Sequence, residues 1–250
     1  MMDWVIVIPA RYASSRLPGK PLRLLTDKTM IEHVYRRAER CGAKEVVVAT
    51  DDQRILEHVR VFGGCAEMTG THASGSDRIA ELASRLGWRD DRIIVNLQGD
   101  EPLIAPENIL QVAQCLQDHP EADIATLAEP ISADQVHNPH IVKVVPDQHG
   151  RALYFSRAPV LFPCSHRGRI AAAMGHIGLY AYRAHSLRRF TGLPRAPMEE
   201  AESLEQLRAL YHGMSIQVDL AQVESGKGVD TEEDLRHARD TLAQLAPRYH

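Results

Sequence analysis

Long apolar segments are missing from the 250-residue sequence. No run approaches the roughly 18 apolar residues that a membrane-spanning helix needs. The chain begins with a predicted strand at residues 5–8, rather than with the charged and then apolar segments of a leader peptide. We therefore expect a cytoplasmic protein without a membrane partner.

Cysteine is scarce, and its spacing indicates no site. The four cysteines, at positions 41, 65, 115 and 164, form neither a C-x-x-C pair nor another zinc-like pattern. Most of them lie in apolar contexts, which are typical of reduced core thiols. We assign them no chemistry.

An excess of positive charge, as nucleic-acid-binding proteins carry, is also missing. The formal net charge is −4 at pH 7 and the isoelectric point is about 6.3. Both values argue against a nucleic-acid surface. Cations that cluster locally are therefore better explained by a small anionic ligand.

Apolar strands and helix signals alternate through the first half of the chain. Predicted strands lie at 5–8, 45–50, 92–97 and 124–127, and predicted helices at 30–41, 52–63, 76–86 and 106–116. This alternation predicts a Rossmann-like α/β fold, with a mostly parallel sheet and helices on both faces. With 44% hydrophobic residues, the chain can bury one core, so we expect a single domain over 1–250.

The pattern changes after Pro130, where three short strands at 142–145, 153–155 and 177–182 follow one another without an adequate helix. Short strands joined by loops pair antiparallel. We therefore predict that residues 130–183 form an antiparallel excursion that extends the sheet and serves as a flap or dimer contact. Helices at 198–210 and 231–245 then flank a strand at 216–220.

The first strand leads into a basic loop within residues 5–22, VIVIPARYASSRLPGKPL. The sequence contains neither G-x-x-x-x-G-K-[ST] nor G-x-G-x-x-G here, which weighs against ATPase and dinucleotide-binding interpretations. Gly19 permits close approach of an anion, and ligands of open α/β sheets bind at the carboxyl ends of strands. We therefore predict that a triphosphate binds the loop's cations and hydroxyls, which are Arg11, Arg16, Lys20, Ser14 and Ser15.

The run PARYASSRLPGKPL resembles the N-terminal signature of sugar nucleotidyltransferases, most closely that of the 3-deoxy-manno-octulosonate cytidylyltransferases, which make CMP-Kdo. The resemblance covers residues 5 to 240, nearly the whole chain. It implies a Mg²⁺-dependent transfer of CMP from CTP to an ulosonic acid sugar. It also implies a homodimer, formed through the excursion.

Two aspartates follow predicted strands or turns near this loop. Asp100, in QGDEP, lies at a carboxyl strand end, and Asp230, in GVDTEED, precedes a predicted helix that it could simply cap. Mg²⁺ needs only one or two carboxylates together with phosphate oxygens and waters. Both motifs occur in the family, whose two aspartates bind the metal, so the resemblance implies Asp100 and Asp230 as metal ligands.

A second group of residues begins the helix at 76–86. Taken alone, Ser74 and the residues after it are ordinary capping residues. Small donors around a glycine also suit a base pocket. By resemblance, the nucleotide-binding residues are Arg11, Ser74, Gly75, Ser76, Arg78 and Gln98, while Arg16, Lys20 and Asp100 are catalytic.

A third group would bind the sugar. Each member has an ordinary structural interpretation, because His176 and Tyr180 share one strand face and Glu205 lies on a predicted helix. A cation for the sugar carboxylate and polar groups for its hydroxyls are the chemistry that such a substrate needs. The resemblance implies a sugar pocket lined by Arg157, His176, Tyr180, Glu205 and Gln206.

The chain departs from the family pattern near this pocket. Gly175 stands where relatives usually carry a cation, Glu200 replaces a His or Asn, and the loop at 160–175 is short. An inward-pointing Glu200 would favour an amino-substituted sugar over Kdo itself. The sugar therefore stays open at this stage, and so do two further alternatives, a non-catalytic sugar-nucleotide binding protein and a glycosyltransferase of similar fold. We expect CMP-Kdo formation for lipopolysaccharide or capsule biosynthesis.

Overall fold

The computed structural model describes residues 2–13, 17–161 and 174–245, and a mixed sheet crosses this part of the chain. The described residues form nine strands, which are β1 (Trp4–Ala10), β2 (Glu45–Thr50), β3 (Cys65–Met68), β4 (Ile93–Asn96), β5 (Ile124–Pro130), β6 (Lys143–Pro146), β7 (Ala152–Ser156), β8 (Met174–Arg183) and β9 (Ile216–Leu220). The main sheet has the order β3-β2-β1-β4-β8-β5-β9. The predicted mostly parallel α/β fold is confirmed.

Helices connect these strands on both faces of the sheet. They are α1 (Met30–Glu39), α2 (Gln53–Val61), α3 (Gly75–Arg85), α4 (Pro106–Asp118), α5 (Ala133–Val136), α6 (Ala184–Thr191), α7 (Pro197–Glu202), α8 (Gln206–Tyr211) and α9 (Glu232–Leu245). Among the described helices, none combines the length and the apolar character needed to cross a membrane.

Strand β1 divides the core into two layers, because its alternate side chains point to opposite faces. Ile6 and Ile8 pack with side chains of α1, α2 and α4, whereas Val5 and Val7 pack with those of α3 and α6. All seven residues of β1 are buried, as expected for a strand that is covered on both sides.

The strand order reverses at β1, which pairs in parallel with β2 on one side and β4 on the other. The loops that leave β1 and β4 therefore start next to each other at one edge of the sheet. In open α/β sheets such a switch point is where ligands bind.

The predicted excursion differs from the structure in its last strand. Strand β8 lies inside the main sheet, antiparallel to both β4 and β5, instead of at the margin. Among the described strands of the excursion, β6 and β7 form a hairpin, and β6 pairs with the start of β8. The excursion thus extends the sheet from within, and its role as a dimer contact stays a prediction.

The prediction of one helix over residues 198–210 is wrong, because two helices occupy this segment. Ser203 adopts a left-handed conformation (φ 53°) between α7 and α8. The buried Glu199 and Arg208 join the two helices across this break, with Arg208 Nε donating to Glu199 Oε2 at 2.9 Å. Three short elements were not predicted from the sequence, namely β3, α5 and α6, which span four, four and eight residues.

We predict that two glycines of β8 respond oppositely to replacement by alanine. An added Cβ at Gly175 would lie 2.6 Å from Ile131 Cγ2, whereas one at Gly178 would meet no atom within 4 Å. Overpacking should lower the free energy of unfolding of Gly175→Ala by about 1 to 3 kcal/mol. Gly178→Ala should be neutral or more stable by about 0.4 to 1 kcal/mol. Urea unfolding measures both, and equal effects would contradict the packing of Gly175.

Candidate active site

An open cleft lies at the switch point, where the loops after β1 and β4 begin. It encloses about 1140 Å³, counting the part open to solvent. Its lining includes Arg11, Lys20, Ser74, Gly75, Arg78, Gln98, Asp100, Glu205 and Asp230. The structure thus brings together nine of the predicted site residues, which are far apart in the sequence.

Lys20 lies at the centre of the cleft's charged end. Its Nζ donates to Asp100 Oδ2 at 2.6 Å, to the Val229 carbonyl at 2.9 Å and to Asp230 Oδ1 at 3.1 Å. Burial alone would lower the pKa of Lys20, but the Asp100 and Asp230 carboxylates outweigh it and raise the pKa above the ordinary value. The ammonium therefore stays charged between the two carboxylates.

The segment that carries Asp230 packs directly on the loop that carries Asp100. The backbone N–H of Val229 donates to the Asp100 carbonyl at 2.9 Å. An added Cβ at Gly226 would overlap Leu103, and one at Gly228 would lie 2.7 Å from Glu101 Oε1. Two glycines thus let the loops approach closely enough to place the carboxylates side by side.

The alternative role of Asp230 as a helix cap is not what the structure shows. Thr231 caps α9, because its Oγ1 accepts the N–H of Asp234 at 3.2 Å while Asp234 Oδ2 accepts the N–H of Thr231 at 3.0 Å. The Asp230 carboxylate instead contacts Lys20 in the cleft.

The pair of carboxylates fits a Mg²⁺ ion. Asp100 and Asp230 both lie within contact distance of one cationic group, and both side chains are partly exposed to the cleft, by 32% and 52%. Among the described residues, no group of three or more His, Cys, Asp or Glu side chains could hold a metal. Two carboxylates suffice for an ion whose other ligands are phosphate oxygens and waters.

Glu101 does not line the cleft, but it lies close enough to the two aspartates to be affected by their charge. Burial, and then repulsion from Asp100 and Asp230, raises the pKa of Glu101 to about 8. This carboxyl group is therefore largely protonated at neutral pH. The only signal in the sequence was its position directly after Asp100 in QGDEP.

The predicted base pocket begins α3. Gly75 lines the cleft and packs closely on two other lining residues, since an added Cβ would lie 3.1 Å from Pro9 Cγ and 3.4 Å from Gln98 Nε2. Ser74 also caps the helix, accepting the N–H of Asp77 at 3.1 Å. Ser76 does not line the cleft; it is buried beneath it and hydrogen-bonds Tyr182.

Two basic residues around this pocket, Arg78 and Arg11, differ in how far they are exposed to solvent. Arg78 lines the cleft but is 3% exposed, and its guanidinium already binds Thr69 Oγ1 at 2.6 Å and Asp51 Oδ2 at 3.0 Å. Arg78 therefore positions the pocket wall, while Arg11 is exposed and lines the cleft.

His72 lines the cleft and was not predicted from the sequence. Its Nε2 lies 2.5 Å from Glu81 Oε2, which also accepts the N–H of Gly70 at 2.8 Å. Glu81 thus orients both the imidazole ring and the loop before α3. A histidine shortly before a helix start carried no signal of this role.

Of the residues predicted to bind the sugar, only some line the cleft. Glu205 lines it, and its Oε1 is buried without a hydrogen-bond partner in the described chain. Burial outweighs the nearby Ser74 hydroxyl and raises the pKa of Glu205. The remaining predicted members do not line the cleft, and they are Arg157, His176, Tyr180 and Gln206.

His176 and Tyr180 belong to a row of aromatic rings on β8. The His176 ring lies 5.0 Å from that of Phe155 and 5.3 Å from that of Tyr180. His176 Nε2 is 3.0 Å from Thr126 Oγ1, whose single proton can be donated to the carbonyls of residues 177 or 179. Nε2 therefore carries the proton, as assigned from this network.

Other predictions concern positions outside the site or outside the described residues. Glu200 is exposed on α7 and does not line the cleft, so the condition for an amino-substituted sugar is not met. A cation at position 175 would have to displace Ile131. The predictions for Ser14, Ser15, Arg16, Cys164 and most of the 160–175 loop lie outside the described residues.

The described cysteines agree with the absence of an assigned role. Cys41 and Cys115 are buried, and burial raises the pKa of each thiol to about 12. Such thiols are poor nucleophiles at neutral pH. Cys65 is exposed, unlike the core thiol that was expected for most of them.

A switch-point cleft with a lysine between two carboxylates, on this α/β fold, defines the class of protein as a nucleotidyltransferase. The model of the cytidylyltransferase family matches residues 5–216. A 3-deoxy-manno-octulosonate cytidylyltransferase of Halorhodospira halophila is 53% identical over 93% of this chain and 94% of that protein. One of Marinobacter nauticus is 51% identical over 99% of this chain and 100% of that protein.

A solved structure agrees with these relatives. The structure of CMP:2-keto-3-deoxy-manno-octonic acid synthetase complexed with CTP is 45% identical, with a TM-score of 0.91 over 97% of this chain and 99% of that chain. This chain belongs to the 3-deoxy-manno-octulosonate cytidylyltransferase family. The predicted family and enzyme class are confirmed.

We predict that His176 makes the protein less stable in acid. Desolvation lowers the pKa of His176 to about 3, so the native state keeps the ring neutral while the unfolded state binds a proton below about pH 6.5. The free energy of unfolding therefore falls as the pH falls from 6.5 towards 3. At pH 5 the loss is on the order of 1 kcal/mol, after allowance for partial exposure of the ring.

Denaturant unfolding at pH 7.5 and pH 5 tests this. His176→Gln should lose about 1 kcal/mol less than the wild type over this interval. His140→Gln, at an exposed histidine, is the control. The same pH dependence in wild type and His176→Gln would show that His176 is protonated alike in both states.

Proposed function

We propose that this protein transfers CMP from CTP to 3-deoxy-manno-octulosonate, releases pyrophosphate and uses Mg²⁺ held by Asp100 and Asp230. CTP-dependent formation of CMP-Kdo, as predicted from the first loop, is confirmed by the family match, the named relatives and the similar structure with CTP. The observation that carries the site assignment is the contact of Lys20 Nζ with both carboxylates at the switch point.

Bound Mg²⁺ would offset phosphate charge and help to orient the triphosphate. Asp100 and Asp230 supply the carboxylate oxygens for it. Lys20 lies between them, within reach of phosphate oxygens in the cleft, and Arg11 faces the same space from the exposed loop. As the anomeric hydroxyl attacks the α-phosphate, these cations stabilise the charge that develops on the phosphate oxygens.

The base and the sugar occupy separate walls of the cleft in this proposal. The cytosine lies against Gly75, with Ser74 and Gln98 beside it. The sugar lies towards Glu205, whose buried and unpartnered Oε1 would accept a sugar hydroxyl. Arg157, His176, Tyr180 and Gln206 complete the sugar site as the family resemblance implies.

The same proposal includes the cellular location, the pathway and the oligomeric state of the enzyme. We assign it to the cytoplasm, to lipopolysaccharide or capsule biosynthesis, and to a homodimer that forms through the excursion at residues 130–183. Family resemblance supports these assignments. A non-catalytic binding protein would have no need for the cluster of Lys20, Asp100 and Asp230 that this chain retains.

We predict that Asp230→Asn lowers turnover by about 100-fold or more at limiting Mg²⁺ and raises the Mg²⁺ concentration needed for half-maximal rate. The fold should be unaffected, because Thr231 and not Asp230 caps α9. Pyrophosphate release measures turnover. Glu233→Gln, at an exposed carboxylate on the same helix, is the matched control. Near-normal Mg²⁺ dependence in Asp230→Asn would remove Asp230 from the metal site.

We predict that Lys20→Met lowers turnover with CTP by about 100- to 1000-fold, because it removes a cation from the developing phosphate charge. The ratio of rates with CTP and UTP should be unchanged, since phosphates carry no base information. Lys28→Met, at an exposed lysine paired with Asp27, controls for loss of charge. A changed CTP-to-UTP preference with a preserved rate would overturn the assignment of Lys20 to the phosphates.

A further inference from the structure

Lys143 is a fully buried lysine for which the proposed reaction has no use. It begins β6 and is 0% exposed. Its Nζ donates to three backbone carbonyls, those of Arg157 at 2.5 Å, Ile141 at 2.7 Å and Asn138 at 3.0 Å. An ammonium has three N–H donors, so its charged form is fully satisfied by these contacts.

The three carbonyls belong to two segments that meet at Arg157. One is Arg157 itself, directly after β7, and the other is the loop at 138–141. The Pro139 carbonyl of this loop accepts from Arg157 Nη1 at 3.0 Å. Lys143 therefore binds the backbone of Arg157 and also the loop that binds the Arg157 guanidinium.

Glu202, at the end of α7, binds the other side of the same residue. Its Oε2 accepts the backbone N–H of Arg157 at 2.7 Å, and its backbone carbonyl accepts from Arg157 Nε at 2.8 Å. Glu202 Oε1 accepts from Ser156 Oγ at 2.7 Å. Both backbone polar groups of Arg157 are thus bound by charged side chains.

The Arg157 side chain retains its capacity to bind an anion. In the described chain its guanidinium contacts only the two carbonyl oxygens of Pro139 and Glu202. Two of the five guanidinium donors are used in this way, and no carboxylate of the described residues binds the guanidinium itself. The arrangement fixes the side chain without neutralising it.

The same hairpin lies against the proposed sugar site. Lys143 pairs with Gly175 of β8, and the N–H of His176 donates to the Val142 carbonyl at 2.8 Å. The ring of Phe155 packs edge-on against that of His176. Arg157, two residues after Phe155, is therefore carried on the hairpin that borders His176.

From these contacts we propose that Lys143 and Glu202 are positioning residues, which hold Arg157 in place to bind the carboxylate of the sugar acid. The proposal rests on the proposed function, in which Arg157 belongs to the sugar site. Lys143 and Glu202 act through Arg157 and do not themselves contact the substrate.

The test is a double-mutant cycle read out as KM for the sugar acid at saturating CTP. Arg157→Ala and Lys143→Met should each raise this KM by about 10- to 100-fold, the effect of one charge-assisted hydrogen bond. KM for CTP should be unchanged in both. In the Arg157→Ala background, Lys143→Met should have little further effect on KM, because residues that act through one another are not additive.

Variants of Glu202 provide a second test. Unlike Lys143→Met, they do not change a fully buried side chain. Glu202→Leu should reproduce the rise in KM for the sugar acid, and Glu202→Gln, which keeps one acceptor oxygen, should restore part of it. Arg151→Met is the matched control, since Arg151 lies at the turn of the same hairpin in an exposed ion pair with Asp147. It should leave both KM values unchanged.

The outcomes separate this proposal from the one on which it rests. If Arg157→Ala leaves KM for the sugar acid unchanged, Arg157 is not in the sugar site, and the proposed function loses that residue. If Arg157→Ala raises KM but the Lys143 and Glu202 variants lower only thermal stability, the positioning role is wrong. Equal increases in KM for CTP and for the sugar acid would also overturn it.

Discussion

The ammonium group of Lys20 joins three parts of the chain that are distant in sequence. It contacts Asp100 after β4, and Val229 and Asp230 before α9, while Lys20 itself belongs to the loop after β1. Desolvation works against a charge at this position, and the two carboxylates reverse that effect. The charged end of the cleft and the candidate metal ligands are arranged around this one charge, whereas the last helix docks mainly through the apolar contacts of Leu235, Ala238 and Leu242.

The antiparallel strand β8 places the residues predicted to bind the sugar, His176 and Tyr180, inside the main sheet. Because β8 lies between β4 and β5, its side chains stand next to the strand that leads to Asp100. The hairpin of β6 and β7 attaches to the start of β8 and brings Arg157 towards His176. One reversed strand thus connects the nucleotide half of the fold to the proposed sugar site.

Several buried charged side chains in this protein hold loops, or the ends of neighbouring helices, in place. Arg78 binds Thr69 and Asp51 beside the base pocket, Glu199 and Arg208 join α7 to α8, and Lys143 binds the backbone near Arg157. Each of these groups lies where regular hydrogen bonding between helices or strands is interrupted. A charged group with several donors or acceptors can satisfy such irregular backbone, which an apolar side chain cannot.

The sequence by itself determined the parallel α/β architecture, and its family resemblance singled out Lys20, Asp100 and Asp230, which the structure brings into contact. Strand periodicity, turn residues and short motifs are local, and they survive in the order of the residues. Only the tertiary structure decided the place of β8, the break at Ser203, the capping of α9 by Thr231 and the involvement of Glu101 and Lys143. These depend on contacts between distant segments, because strand order, desolvation and hydrogen-bond partners are set by which parts of the chain meet in space.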